Sequence, residues 1–221
     1  MFKRFSICYI LLMFCITGTS AQEDRWTGNA TNLSKGNLRV NSSGRYLEYS
    51  DGTPFLYIGD TAWELISRLN DKETELYLEN RREKGFTVIQ TVILDELDDM
   101  DVSSNGEPKL IDGNIDKPAP GYFTHVDKVI SLAAAKGLYI ALLPTWGDKV
   151  DKQWGKGPEI FTPENAYRYG KWLGERYMNA SNLIWIIGGD RSGDGKNFAI
   201  WNALATGIKS VDKNHLMTYH P

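Results

Sequence analysis

Cysteine is almost absent from this chain, and the two that occur lie close to its amino terminus. Cys8 and Cys15 fall in an apolar segment that follows the basic residues Lys3 and Arg4 and leads to small residues ending at Ala21. This is the pattern of a secretory signal peptide, predicted here to span residues 1–21. The mature protein would then have neither a disulfide nor a thiol nucleophile. We expect a secreted or periplasmic protein that folds on its apolar core.

Long hydrophobic runs, positive charge and metal-binding motifs are also lacking. The apolar run at 7–16 is too short to span a membrane. The net charge of −3 becomes −5 once the leader is removed, which argues against binding to nucleic acid or to an anionic membrane. The three histidines show no metal-ligand spacing, which argues against a metal-dependent hydrolase. The pattern predicts no metal, no cofactor, no nucleic-acid partner and no membrane span, and it leaves the oligomeric state open.

A regular alternation of strand-like and helix-like segments fills most of the chain. Residues 22–36 are polar and are predicted to form a linker. Residues 38–40 and 46–49 flank the turn sequence Asn41-Ser42-Ser43-Gly44, which predicts a β-hairpin. Continuous apolar runs predict strands, and apolar residues at helical spacing predict helices. The predicted strands are 55–59, 86–94, 138–144, 183–187 and 215–219, and the predicted helices are 71–84, 122–136, 163–177 and 196–211.

This alternation predicts an α/β fold with a parallel sheet covered on both faces. The predicted strands begin about 40 residues apart, so an eight-unit barrel at this spacing would need roughly 320 residues. Two architectures fit: a (β/α)8 TIM barrel truncated after about five β/α units, or a complete five-stranded doubly wound domain. No glycine-rich phosphate loop follows the first strand, which favours the barrel. We therefore predict that residues 37–221 form part of a TIM-barrel catalytic domain, with a short hairpin at its amino-terminal end.

Polar and aromatic residues follow each predicted strand. Because the carboxyl ends of parallel strands lie on one face, these residues are expected to surround one ligand site. The acid that best fits catalysis is Asp190, which follows the apolar run 183–187 and two glycines and stands beside a guanidinium. Its alternative role is to cap the next helix. The candidate substrate-binding residues at the strand tips are Asp60, Trp63, Glu64, Glu96, Trp146, Asp148, Arg191, Tyr219 and His220.

Several of these candidates have a second interpretation. Trp63 and Trp146 are expected to stack on sugar rings but could be core residues at the rim. Asp60 either binds a sugar hydroxyl or caps a helix. In the acidic run that begins at Asp95, only one residue is expected to contact ligand, and Glu96 is chosen.

Arg191 and His220 also have a second interpretation, which for His220 is that of an ordinary hydrogen-bonding residue at the end of a strand. Arg191 either holds a carboxylate or an acidic sugar, or forms an ordinary surface ion pair.

Glycosidic cleavage requires two carboxyl groups. Asp190 is a plausible acid, and an equally convincing nucleophile is missing from the sequence.

Five blocks of the sequence resemble the apiosidase-like glycoside hydrolases, a group of retaining barrel glycosidases. The resemblance is carried by residues 55–64, 77–90, 143–148 (Leu-Pro-Thr-Trp-Gly-Asp), 185–191 (Trp-Ile-Ile-Gly-Gly-Asp-Arg) and 217–221. It implies that Asp190 is the general acid/base, that a nucleophilic Glu lies near the end of a later strand, and that the substrate is a plant-type oligo- or polysaccharide, such as a pectin side chain with apiose linkages. The wider clan carries Asn-Glu where this chain has Gly189-Asp190. The alternative is an inactive, carbohydrate-binding remnant of such a barrel.

Overall fold

A small antiparallel sheet precedes the main fold. The computed structural model describes residues 27–96 and 102–221, so the predicted signal peptide lies outside the described residues. Strands β1 (Leu38–Val40) and β2 (Leu47–Tyr49) form the predicted hairpin. A third strand, β3 (Pro54–Phe55), pairs with β2 in antiparallel register.

Five parallel strands form the main sheet, with helices on one side. Their order in the sheet is the order in which they occur in the sequence. A doubly wound domain would reverse its strand order at a switch point, whereas a barrel adds strands consecutively. The sheet is therefore a half-barrel. Its elements are β4 (Gly59–Thr61), α1 (Leu65–Arg68), α2 (Asp71–Glu83), β5 (Val88–Leu94), α3 (Pro120–Ala135), β6 (Tyr139–Thr145), α4 (Pro163–Tyr177), β7 (Leu183–Gly188), α5 (Phe198–Val211) and β8 (Met217–His220).

The prediction of one strand over 55–59 is wrong, because the structure divides this segment. Phe55 pairs with Leu47 in the small sheet and makes edge contacts with the rings of Tyr49 and Tyr139, at centroid distances of 5.5 and 5.2 Å. The next three residues, at 56–58, are exposed at the edge of the half-barrel. The first parallel strand begins only at Gly59. An apolar run alone does not reveal which of two sheets each of its residues joins.

The sequence signals at helix ends account for the helix boundaries. Asn70 and Thr162 accept hydrogen bonds from the first turns of α2 and α4, and both belong to capping boxes. Pro163 occupies the first turn of α4, where its missing N–H costs nothing. Gly85 and Gly137 follow α2 and α3 with φ of +80° and +70°, the left-handed conformation that ends many helices. The observed ends therefore lie within two residues of the predicted ones.

Strand residues alternate between two buried clusters. One cluster lies between the sheet and the helices and includes Ile89, Ile140 and Trp185. The other lies on the inner, concave side and includes Val92 and Ile186. Because both faces are covered, the strands consist of nearly continuous apolar residues. The alternation also decides which side chains at the strand tips point into the barrel.

Part of the predicted linker is bound to the barrel. The Ala30 N–H donates to the Lys136 carbonyl at 2.8 Å, and the Thr31 hydroxyl donates to the Gly137 carbonyl at 2.6 Å. These bonds fix the segment at the end of α3. Within residues 27–96 and 102–221, every helix is too short or too polar to cross a lipid bilayer.

Candidate active site

A sharp turn at the end of β7 presents Asp190. Three consecutive residues have left-handed backbones, with φ of +101° at Gly188, +130° at Gly189 and +56° at Asp190. The Gly189 N–H donates to the His220 carbonyl and the Gly147 N–H donates to the Gly189 carbonyl, both at 3.0 Å. These bonds join the tips of β6, β7 and β8. A left-handed aspartate is strained and persists because the surrounding structure holds it.

Asp190 does not cap a helix. Helix α5 begins at Phe198, and the residue at its cap position is Asn197. Instead, Asp190 Oδ1 lies 3.0 Å from His220 Nε2, and its side chain is half exposed. The acid is thus accessible to a ligand and oriented by one imidazole nitrogen.

The His220 ring packs with two tryptophan rings beside the turn. The ring centroids of Trp63 and Trp146 are 5.2 Å apart, and they lie 5.5 and 5.6 Å from the centroid of His220. We call Trp63, Trp146 and His220 the aromatic triad. Trp146 is almost completely buried, whereas the other two rings are partly exposed. The triad brings the tips of the first, third and fifth parallel strands together with Asp190.

Glu96 faces a cavity beside the triad. The cavity is about 150 Å³ in volume and is lined by Trp63, Glu64, Val92, Asp95, Glu96 and Trp146. Partial burial, followed by the negative charges of Asp148 and Asp190, raises the pKa of Glu96 above its usual value. The carboxyl groups of Glu96 and Asp190 are therefore close enough to influence each other electrostatically.

Asp95 and Glu64, two other acids that line the cavity, form ion pairs with basic side chains. Asp95 is buried and forms an ion pair with Lys109 at 2.6 Å, so it anchors the chain that follows β5. Glu64 stands at the start of α1, 3.3 Å from the Arg68 guanidinium. Of the two neighbouring acids at the end of β5, Glu96 is the one with an exposed surface.

Asp148 is fully buried, and it organises the loop that follows β6. Its Oδ2 accepts hydrogen bonds from Lys149 Nζ at 3.0 Å and from the Gly157 N–H at 2.8 Å. Lys149 Nζ also donates to the Gly157 carbonyl at 2.6 Å. The Asp148 side chain therefore fixes the chain over 148–157 and has no surface through which to contact a sugar.

Arg191 binds backbone carbonyls of two segments, the Asp190 turn and the loop after β6. Its buried guanidinium donates to the carbonyls of Asp151, Asp190 and Lys152 at 2.5, 2.8 and 2.8 Å. Arg191 is thus neither a surface ion pair nor a direct partner of the Asp190 carboxylate. It connects the loop after β6 to the turn after β7.

Two predicted site residues point towards the helices. Asp60 accepts a hydrogen bond from the Tyr77 hydroxyl at 2.6 Å and pairs with Arg81 at 3.1 Å, both on α2. The Tyr219 hydroxyl donates to the Arg191 carbonyl at 2.7 Å, and burial raises its pKa to about 12. Because alternate strand residues face opposite sides, neither side chain reaches the inner hollow. Tyr219 instead supports the turn that carries Asp190.

Trp154 was not identified from the sequence. It lies in the loop after β6, is 70% exposed, and its ring centroid is 4.2 Å from the guanidinium carbon of Arg191. The available signal was a large aromatic next to a glycine in a polar loop that follows a strand tip.

Two further features lie apart from the triad. An apolar groove of about 660 Å³ runs between β8 and α5, on the side of the sheet that faces the helices. Across residues 27–96 and 102–221, no three acidic, histidine or cysteine side chains are grouped so that they could hold a metal ion.

The half-barrel and its polar strand tips define the class of protein. Five consecutive parallel strands, with a carboxylate and aromatic rings at their carboxyl ends, correspond to part of a (β/α)8 barrel, whose active site lies on that face. The family model described as "Apiosidase-like, catalytic domain" matches residues 41–221. The chain therefore belongs to the apiosidase-like catalytic-domain family.

Solved structures agree with this assignment. A glycoside hydrolase with 42% sequence identity matches 86% of this chain and 42% of its own length, with a TM-score of 0.76. A glycoside hydrolase of family 5 from Bacteroides vulgatus, 36% identical, matches 86% of this chain and 40% of its own, also at 0.76. The chain thus spans about two fifths of the length of these relatives. The catalytic domain of a Thermobifida fusca endoglucanase, 15% identical with a TM-score of 0.55, shares the fold. No curated protein matches the chain.

Proposed function

We propose that this protein is a secreted glycoside hydrolase that cleaves O-glycosidic bonds in plant-type polysaccharides, such as pectin side chains with apiose linkages. Asp190 is its general acid/base. The observation that carries the proposal is the strained turn after β7, which holds a half-exposed carboxyl group 3.0 Å from His220, whose ring lies beside those of Trp63 and Trp146. Family membership supports the reaction class, and the pectic substrate follows from the resemblance noted in the sequence.

The proposed mechanism has two carboxyl groups in different roles. Asp190 donates a proton to the leaving oxygen, then removes a proton from the water that releases the sugar. A second carboxylate attacks the anomeric carbon, and in retaining enzymes it lies about 5–5.5 Å from the first. We propose that this nucleophile is a glutamate from outside the 221 residues, as the resemblance implies. The aromatic triad binds the sugar ring, and His220 fixes the orientation of the Asp190 carboxyl group.

The test replaces Asp190 with alanine in the full-length protein that the gene encodes. An aryl glycoside with a good leaving group needs little acid assistance, so Asp190→Ala should still form the glycosyl-enzyme but release the sugar slowly. Azide, which needs no general base, should restore turnover. The matched control is Asp194→Ala, which removes an exposed carboxyl group that is bonded to Ser192. Unchanged activity in Asp190→Ala, with no effect of azide, would contradict the assignment.

A second candidate function is carbohydrate binding without turnover. The aromatic triad is complete within the described residues, whereas the nucleophile that the mechanism requires is not identified among them. Calorimetry with pectic oligosaccharides, paired with an assay for released sugars, separates the two functions. Binding without any product favours the binding module.

Export is proposed from the amino-terminal sequence. We infer that the signal peptide is removed after Ala21. Mass spectrometry of the protein recovered outside the cytoplasm should show a mature chain that begins at Gln22. A mature chain that retains residues 1–21 would contradict this proposal.

A further inference from the structure

An exposed tryptophan stands at the rim of the site, on the loop that follows β6. Trp154 is 70% exposed, although indole is costly to leave in water. Its ring centroid lies 4.2 Å from the guanidinium carbon of Arg191, so the cation covers part of the ring. The remaining indole surface is accessible to solvent.

The guanidinium under the ring is rigidly held. Three backbone carbonyls, from Asp151, Lys152 and Asp190, accept its hydrogen bonds. The last of these belongs to the proposed acid/base itself. The indole is therefore positioned by the same contacts that position the Asp190 turn.

The base of the loop is fixed as well. The buried Asp148–Lys149 pair binds both the N–H and the carbonyl of Gly157. A Cβ on Gly155 would lie 2.3 Å from the Asp148 Cβ, so the residue beside Trp154 packs directly on the buried carboxylate. An aromatic surface held in this way loses little conformational freedom when a ligand binds.

We propose that the free surface of Trp154 binds a sugar ring of the substrate, at a subsite distinct from the ring in contact with the aromatic triad. Aromatic faces pack against the C–H faces of sugar rings, and the indole lies on the same carboxyl-end face as Asp190. Arg191 connects the two positions through one side chain. The inference rests on the proposed function, because it assigns the second ring to the same substrate.

The experiment compares Trp154→Ala and Trp154→Phe with Tyr46→Ala, which removes an exposed aromatic from the hairpin. Affinity for pectic oligosaccharides is measured by calorimetry, with Asp190→Ala as the background so that the probe is not consumed. Trp154→Ala should weaken binding about tenfold, while Trp154→Phe retains most of the affinity. Tyr46→Ala should bind normally. With Asp190 intact, Trp154→Ala should raise KM for the oligosaccharide far more than KM for a single-ring aryl glycoside, which occupies only the subsite at the aromatic triad.

The outcomes distinguish this inference from the proposed function. Equal oligosaccharide affinity in Trp154→Ala and Tyr46→Ala overturns the subsite, even if Asp190 proves essential for turnover. Equal loss on the oligosaccharide and on the aryl glycoside also overturns it, because the indole would then support the Asp190 turn only. Absence of oligosaccharide binding to the unsubstituted protein overturns it too. A Trp154-dependent affinity without any turnover supports the subsite and contradicts the hydrolase.

Discussion

Replacing Gly188 with alanine should disturb both the sheet and the turn that carries Asp190. Gly188 has a φ of +101°, and a Cβ at this position would lie 2.2 Å from the main-chain oxygen of His220. That oxygen accepts the Gly189 N–H at 3.0 Å. It cannot move away without losing this hydrogen bond between β7 and β8.

The size of the effect follows from these two terms. A side chain forced into this backbone region costs about 1–3 kcal/mol, and the lost hydrogen bond adds about 0.5–1.5 kcal/mol. The sum is roughly 1.5–4.5 kcal/mol. For a domain of this length it corresponds to a decrease in Tm of roughly 3–18 °C.

Gly195→Ala is the matched control. Gly195 also has a left-handed backbone, with φ of +55°, but a Cβ there would meet no atom within 4 Å. This substitution should cost only about 1 kcal/mol. Urea unfolding followed by circular dichroism and tryptophan fluorescence measures both free energies. Equal losses in the two variants would refute the close contact between the tips of β7 and β8.

Three other substitutions test charged groups that are buried or partly buried. Lys109→Met removes the ammonium partner of the buried Asp95 carboxylate and should lower the free energy of unfolding by about 3–5 kcal/mol. A loss below about 1 kcal/mol, which is typical of exposed ion pairs, would contradict this expectation. The pKa of Glu96 is raised, so the folded protein is stabilised by the protonated carboxyl group and loses this stability as the pH rises through that pKa. Glu96→Gln should therefore have a higher free energy of unfolding than the unsubstituted protein at pH 7, and the two free energies should converge at low pH. Burial raises the pKa of Asp212, but hydrogen bonds from His215 and from the Trp185 indole outweigh this effect, so that the pKa is lowered overall. Its contribution is present at neutral pH and is lost as pH falls below about 4, so acid unfolding should be less steep in Asp212→Asn, and an equal slope would contradict the assignment.

The parallel half-barrel could be predicted because its signals are local. Strands covered on both faces need continuous apolar residues, and the helix ends carry recognisable caps such as Asn70 and Gly137. The segment after Asp51 could not be assigned correctly, because Phe55 joins the small sheet through partners distant in sequence.

The candidate site was only partly predictable, for a geometric reason. Alternate residues at a strand tip face opposite sides, and an error of one residue in the register reverses them. Asp60 and Tyr219 therefore belong to the helix-facing side, while His220 reaches Asp190. The exposed position of Trp154 depends on a guanidinium 37 positions later in the chain, a contact that no local pattern contains.

The dependence of hydrolysis on the leaving group tests the role of Asp190 most directly. A series of aryl glycosides with leaving groups of increasing pKa would be assayed with the unsubstituted protein and with Asp190→Ala. If Asp190 protonates the departing oxygen, the rate of the first step should fall much more steeply with leaving-group pKa in the variant, because no acid offsets the developing charge. Parallel slopes in the two proteins would show that the proton comes from another group.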